Sequence, residues 1–118
     1  MARILVIDDD AQFRTMLQKR LEREGYEVET AFDGRDGIDL YKAHPADLVI
    51  TDFQMPRKNG REVIEELTAE YPDVRIVVLT GFTGEAFAKI SSLGVDRIFL
   101  KPPNFSEFLG AVEEHLAE

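Results

Sequence analysis

The sequence predicts an α/β fold in which one parallel β-sheet is covered by helices on both faces. Five short apolar runs, rich in valine and isoleucine, recur at spacings of about 20 to 28 residues. Segments with helical periodicity lie between them. Continuously apolar strands that alternate with helices are typical of a parallel sheet buried on both sides.

Each apolar run is too short to form a stable helix and is therefore interpreted as a buried strand. The five predicted strands are Ile4–Ile7, Val28–Ala31, Leu48–Thr51, Val74–Thr80 and Ile98–Leu100.

Helical spacing of apolar residues predicts one helix after each strand. In the first, Ala11–Glu24, the residues Phe13, Leu17 and Leu21 follow at i, i+4 and i+8 and form one stripe. Two segments are weaker helices, because Gly37 interrupts one and Ser91-Ser92 the other. The remaining predicted helices are 34–43, Gly60–Tyr71, 84–93 and a last one with a stripe of Phe105, Leu109, Val112 and Leu116.

Local signals agree with these boundaries. Asp10 suits the N-cap of the first helix, and Gly25 lies where a C′ glycine would end it. Five βα units within 118 residues leave only short loops. We therefore expect one domain, residues 1–118, with the doubly wound, flavodoxin-like strand order 2-1-3-4-5.

Composition excludes several classes of function. The 14 basic and 23 acidic residues give a formal net charge of −9, which disfavours nucleic acid and anionic membrane as direct partners. The chain has no cysteine, hence no disulfide, thiolate nucleophile or cysteine-bound metal. No apolar run is long enough to span a bilayer, and the first residues do not resemble a signal peptide, so we expect a cytoplasmic protein.

Polar residues follow the strands at the edge where α/β sheets bind ligands. Asp8 and Asp9 follow the first strand, Asp52 the third, Thr80 ends the fourth and Lys101 follows the fifth. Taken singly, an acidic run before a helix is usually capping, and we assign Asp10 that role. In the order 2-1-3-4-5 the first and third strands are neighbours, so the other three aspartates should converge.

Such convergence requires positive charge. Two carboxylates about 5 Å apart repel by roughly 3 kcal/mol at an effective dielectric constant of 20. Lys101 brings the local charge from −3 to −2, which one divalent cation neutralises. Oxygen ligands without histidine or cysteine favour Mg²⁺ or Mn²⁺ over Zn²⁺. Such a site beside a lysine and a threonine hydroxyl suits phosphoryl transfer.

The same residues resemble those of a known family. Its motifs appear here as Ile-Asp-Asp-Asp at 7–10, Asp52-Phe-Gln-Met-Pro with Gly60, Thr80-Gly81 and Lys101-Pro102. In order and spacing they resemble the receiver domain of bacterial two-component response regulators, in particular the single-domain chemotaxis regulators. The resemblance covers nearly the whole chain.

The resemblance implies a role for each matching residue. Asp52 would accept a phosphoryl group from the phosphohistidine of a histidine kinase. Asp8 and Asp9 would hold Mg²⁺ together with Asp52 and the backbone carbonyl of Gln54. The protein would catalyse only its own phosphorylation and dephosphorylation.

After the transfer, Thr80 and Lys101 would each contact a phosphoryl oxygen. Pro102 would follow a cis peptide bond. The chain departs from the family pattern at Ile98, where family members often carry an aromatic residue. Here Phe99, one position later, is the aromatic one.

Partners are also implied by the resemblance. They are a sensor histidine kinase or a histidine phosphotransfer protein, and a downstream protein target. The target would bind the face made by the fourth helix, fifth strand and fifth helix, and the resemblance allows a homodimer on phosphorylation.

Two alternatives belong to other classes. A magnesium-dependent phosphatase of the haloacid dehalogenase type also uses a strand-end aspartate, but it has Asp-x-Asp with a nearby threonine. Here no threonine follows Asp8–Asp10 until Thr15. A phosphorylation-independent interaction module would be favoured if the acidic pair, Asp52 or Lys101 were missing, and all are present.

Overall fold

The computed structural model describes residues 2–53, 55, 59–81 and 84–117. Five strands alternate with five helices, as predicted. The strands are β1 (Arg3–Ile7), β2 (Glu27–Ala31), β3 (Leu48–Asp52), β4 (Ile76–Thr80) and β5 (Arg97–Leu100). The helices are α1 (Ala11–Arg23), α2 (Gly34–Ala43), α3 (Gly60–Glu70), α4 (Gly84–Ser91) and α5 (Phe105–Leu116).

The expected boundaries differ by up to two residues. Strand β4 begins at Ile76 and not at Val74, because the Val74 amide donates a hydrogen bond to the Tyr71 carbonyl (3.0 Å) in the turn after α3. Helix α4 ends at Ser91, two residues before the predicted end.

All five strands are parallel, in the order β2-β1-β3-β4-β5, which confirms the predicted topology. Strand β1 lies between β2 and β3, with Ile7 opposite Thr51. The carboxyl ends of β1 and β3 therefore meet at the centre of one sheet edge.

Apolar side chains fill both faces of the sheet. Helices α1 and α5 cover one face, where Leu17, Leu21 and Phe108 are fully buried. Helices α2, α3 and α4 cover the other face, where Ile38 and Ile64 are among the buried residues. None of the described helices is long and apolar enough to cross a membrane.

Close packing explains one glycine that the sequence pattern did not. A Cβ atom on Gly37 would lie 2.4 Å from Cδ1 of Ile7. The residue that interrupts the helical pattern thus lets α2 pack directly on β1. At the end of α1, Gly25 has a φ angle of +97°, in keeping with its predicted role as helix terminator.

Candidate functional site

Three carboxylates converge at the carboxyl edge of the sheet. Asp8 follows β1 and Asp52 ends the neighbouring strand β3. One carboxylate oxygen from each of Asp8, Asp9 and Asp52 lies within 4.8 Å of the others. Asp8 is buried, Asp52 is partly buried and Asp9 is exposed. The structure therefore brings together the three aspartates that the strand order predicts.

Residues at the start of α1 bind both the side chain and the backbone carbonyl of Asp8. Its Oδ1 atom accepts a hydrogen bond from the Asp10 amide (2.9 Å), and its carbonyl accepts one from Nη1 of Arg14 (2.7 Å). Its Oδ2 atom is buried and receives no aligned hydrogen bond from the described residues. This oxygen of the most buried carboxylate is thus left for an ionic contact.

Asp10 has the structural role expected from the sequence. Its carboxylate accepts hydrogen bonds from the amides of Gln12 and Phe13, both 3.1 Å long, and so caps α1. This cap fixes the turn in which Asp8 and Asp9 lie.

Lys101 supplies the positive charge of the site. Its Nζ atom lies 2.8 Å from Oδ2 of Asp8 and 3.3 Å from Oδ2 of Asp52. The contact with Asp8 is an ion pair without the alignment of a hydrogen bond, whereas the contact with Asp52 has hydrogen-bond geometry. The Lys101 amide donates to the Thr80 carbonyl (2.8 Å), and the Lys101-Pro102 peptide bond is cis, as the resemblance implied.

Hydrogen bonds from its two chain neighbours hold Asp52 in place. Its Oδ1 atom accepts a hydrogen bond from the Phe53 amide (2.7 Å), and its carbonyl accepts one from the Thr51 hydroxyl (2.8 Å). The Gly60 amide donates to the Phe53 carbonyl, and a Cβ atom on Gly60 would lie 2.6 Å from the Asp52 carbonyl oxygen. Helix α3 therefore begins directly against the Asp52 backbone.

Burial and charge shift the pKa values of the two central groups. Burial raises the pKa of Asp52 and the Asp8 charge raises it further, whereas Lys101 and the Phe53 amide lower it, and the net shift is upward. For Lys101, burial alone lowers the pKa. The nearby carboxylates of Asp8 and Asp52 outweigh this, so the pKa of Lys101 lies above its usual range.

Of the two remaining predicted site residues, Thr80 is described by the structure and Gln54 is not. Thr80 is buried at the end of β4, one position beyond Leu79, which lies opposite Asp52 in the sheet. Gln54, whose backbone carbonyl was expected to bind the metal, lies outside the described residues.

Two residues of α1 were not predicted as part of the site. Arg14 binds the Asp8 carbonyl, and the ring centroid of Phe13 lies 4.5 Å from Nζ of Lys101. Phe13 was assigned only to the apolar stripe of the helix. Its position three residues after the capping Asp10, in the first turn above the acidic loop, was the only sequence signal available.

The aromatic residue of β5 does not replace the one missing at position 98. Ile98 packs against the cluster under α2, α3 and α4, whereas Phe99 packs under α1 and α5. The Phe99 ring meets that of Phe108 edge-to-face at 5.4 Å. Because side chains alternate along a strand, neighbouring positions face opposite sides of the sheet.

The donor atoms fit a hard divalent cation. All three acidic side chains offer oxygen, and one buried oxygen of Asp8 has no aligned donor among the described residues. Charges of −3 from the aspartates and +1 from Lys101 leave −2, which Mg²⁺ would neutralise.

Comparison with known proteins gives consistent matches. A family model described as the response regulator receiver domain matches residues 4–113. Response regulator MprA of Mycolicibacterium vanbaalenii is 39% identical over 109 residues, which are 91% of this chain and 47% of that protein. The chain thus spans about half the length of this curated relative.

Solved structures of response regulators have the same fold as this chain. Response regulator protein TrrA of Thermotoga maritima, crystallised in complex with Mg²⁺-BeF, is 35% identical with a TM-score of 0.91, covering 98% of this chain and 100% of that one. Chemotaxis protein CheY4 of Vibrio cholerae is 30% identical with a TM-score of 0.89, covering 98% of this chain and 99% of that one.

Proposed function

The chain belongs to the response regulator receiver domain family, a family of signalling domains, and on that premise we propose that Asp52 accepts a phosphoryl group in a reaction that requires Mg²⁺. Mn²⁺ has the same ligand preference and should substitute. The donor is the phosphohistidine of a sensor histidine kinase or of a histidine phosphotransfer protein. The observation that carries the proposal is the convergence of Asp52 with Asp8, Asp9 and Lys101.

In this reaction one oxygen of Asp52 forms a bond to phosphorus while the bond from phosphorus to the histidine nitrogen breaks. The Phe53 amide donates a hydrogen bond to Oδ1 of Asp52. The other oxygen, Oδ2, faces Lys101 and is the one proposed to react. Asp8, Asp9, Asp52 and the Gln54 carbonyl are the proposed metal ligands. When bound, Mg²⁺ neutralises charge on the transferred group and orients it.

Lys101 and Thr80 are proposed to contact the phosphoryl oxygens after the transfer. The Lys101 ammonium already lies beside Oδ2 of Asp52, so a phosphoryl group on that carboxylate would form within its reach. Thr80 ends β4 next to the strand that carries Asp52. Catalysis here consists of positioning and charge compensation, since phosphoryl transfer needs little else from the protein.

The consequence of phosphorylation is proposed to be a change at the face of α4, β5 and α5. This face would bind the downstream target or a second copy of the chain. Leu100 on β5 is 45% exposed and is an apolar side chain that this face would offer to a partner. Residues 1–118 would act as one receiver domain that catalyses only its own phosphorylation and dephosphorylation.

The test uses a small phosphodonor. The protein is incubated with acetyl phosphate with and without Mg²⁺, and the intact mass is followed. We expect a base-labile phosphoryl group only with Mg²⁺, and none in Asp52→Asn. Asp73→Asn, which removes a charge at an exposed turn, is the matched control and should react like the wild type. An unchanged rate in Asp52→Asn would refute the assignment.

A further inference from the structure

Phe13 forms an apolar wall of the site against the ammonium of Lys101. The distance of 4.5 Å from Nζ to the ring centroid is within the range of about 6 Å in which a cation is attracted by an aromatic face. Lys101 Nζ also contacts Asp8 and Asp52. Among the described residues, two carboxylates and one neutral ring therefore hold the ammonium.

The position of the Phe13 ring is itself fixed. The ring is half-buried and packs with the apolar cluster under α1 and α5. The Phe13 amide donates to the capping carboxylate of Asp10, which ties this residue to the turn that carries Asp8 and Asp9. The backbone of Phe13 is therefore anchored at the helix start, while its ring is held by packing in this cluster.

The three neighbours of the ammonium differ in what happens when the site is loaded. Asp8 and Asp52 would turn their oxygens to the metal and to phosphorus. The Phe13 ring carries no charge and competes for neither. It is thus the one of these contacts that persists while the carboxylates change partners.

We propose that Phe13 is a positioning residue for phosphoryl transfer, which holds the Lys101 ammonium at the site while its carboxylate partners bind metal and phosphorus. This inference rests on the proposed function, because it assumes that Asp52 is phosphorylated. It depends on the aromatic face. Leucine at position 13 would fill much of the volume without attracting the ammonium, whereas tyrosine would keep the attraction.

The contact is tested first by NMR, independently of phosphorylation. The chain has five lysines, and lysine labelled with ¹³C gives their ε-methylene signals. We expect the Lys101 signal, identified by its loss in Lys101→Arg, to be shifted upfield by the ring. The shift should vanish in Phe13→Leu and remain in Phe13→Tyr. A Lys101 signal at the position of the other lysines would overturn the proposal.

The role is tested by the rate of phosphorylation from acetyl phosphate at saturating Mg²⁺. We expect Phe13→Leu to be slower by about fivefold, the effect of a cation–π contact at a partly exposed site, and Phe13→Tyr to restore the rate. The matched control is Phe105→Leu. Phe105 packs in the same cluster, and its ring centroid lies 4.6 Å from Cζ of Arg20, so the same substitution is made at a ring whose cation partner is a different residue.

The two proposals fail in different ways. If the wild type is not phosphorylated, the proposed function is wrong, and the NMR shift still shows whether the ring holds Lys101. If the wild type is phosphorylated and Phe13→Leu reacts equally fast, Phe13 has no positioning role. A slower rate shared by Phe13→Leu and Phe105→Leu would assign the effect to packing and would also overturn the proposal.

Discussion

The ammonium of Lys101 lies 2.8 Å from Oδ2 of Asp8, although 93 positions separate the two residues in the chain. Asp8 is the most buried charge of the site, and its side chain is 2% exposed. Lys101 therefore compensates a carboxylate that water scarcely reaches. The same atom, Nζ of Lys101, thus pairs with Asp8 in the fold and is proposed to contact the phosphoryl group.

Removing the ammonium should destabilise the protein in the absence of metal. In Lys101→Ala, Asp8 becomes a buried charge without its counter-ion, and such a loss costs about 3 kcal/mol or more. Urea unfolding in EDTA measures it. Lys89→Ala, an exposed lysine on α4, should change the free energy of unfolding by less than about 0.5 kcal/mol. Adding Asp8→Asn to Lys101→Ala should restore part of the loss, and additive losses would contradict this explanation.

Asp52 should destabilise the metal-free protein and stabilise the loaded one. Burial raises its pKa, so its stabilising contribution is complete below the ordinary value of 3.8 and is lost as the pH rises through the folded-state pKa. At pH 7 the ionised carboxylate weakens the fold. Asp52→Asn should therefore raise the melting temperature in EDTA and abolish most of the increase that Mg²⁺ gives the wild type. An equal Mg²⁺ effect in both proteins would exclude Asp52 as a ligand.

Asp9 should contribute to metal binding more than its neighbour Asp10. Asp9→Asn removes a proposed ligand and should weaken Mg²⁺ binding by tenfold or more, on the order of 1.4 kcal/mol. Asp10→Asn removes the same charge one position later, but asparagine caps a helix as well as aspartate does. Isothermal titration with Mg²⁺ compares the two. Similar losses would mean that net charge, and not coordination by Asp9, determines affinity.

Gly60 should tolerate no side chain, because it packs on the backbone of Asp52 and Phe53. In Gly60→Ala the new Cβ atom would lie 2.5 Å from Cα of Phe53 and 2.6 Å from the Asp52 carbonyl oxygen. We expect a loss of about 1–3 kcal/mol of stability and slower phosphorylation, since the Asp52 backbone must shift. Gly110→Ala in α5, where a Cβ atom meets nothing within 4 Å, should instead gain up to about 1 kcal/mol. Thermal unfolding measures the stability of the two variants. Losses of stability of similar size in both would refute this steric explanation.

Tyr41 should make the protein sensitive to alkali. Burial raises its pKa above the ordinary value of 10.0, and the nearby groups of Tyr71 and Asp47 raise the pKa further. The contribution of the neutral phenol is complete below pH 10 and is lost as the pH rises through the folded-state pKa. Tyr41→Phe should therefore flatten the decline of stability above about pH 10, measured by urea unfolding at successive pH values. A decline as steep as that of the wild type would place its origin elsewhere.

The sequence by itself determined the architecture and most of the site. Strands buried on both faces must be continuously apolar, so their number and their order along the chain could be predicted from the pattern of apolar runs. Asp8, Asp9 and Asp52 could be predicted to meet because parallel strands end at the same edge and β1 and β3 are neighbours. The cis Lys101-Pro102 bond followed only from the resemblance.

Only the tertiary structure decided which atoms touch. The ion pair of Lys101 with Asp8, the Phe13 ring beside that ammonium and the contact of Gly37 with Ile7 each join residues from different elements. Helical periodicity gives a residue such as Phe13 a face, but it gives no distance to a side chain from another strand. That distance is set by how closely α1 packs on the sheet and by the direction in which the lysine leaves β5.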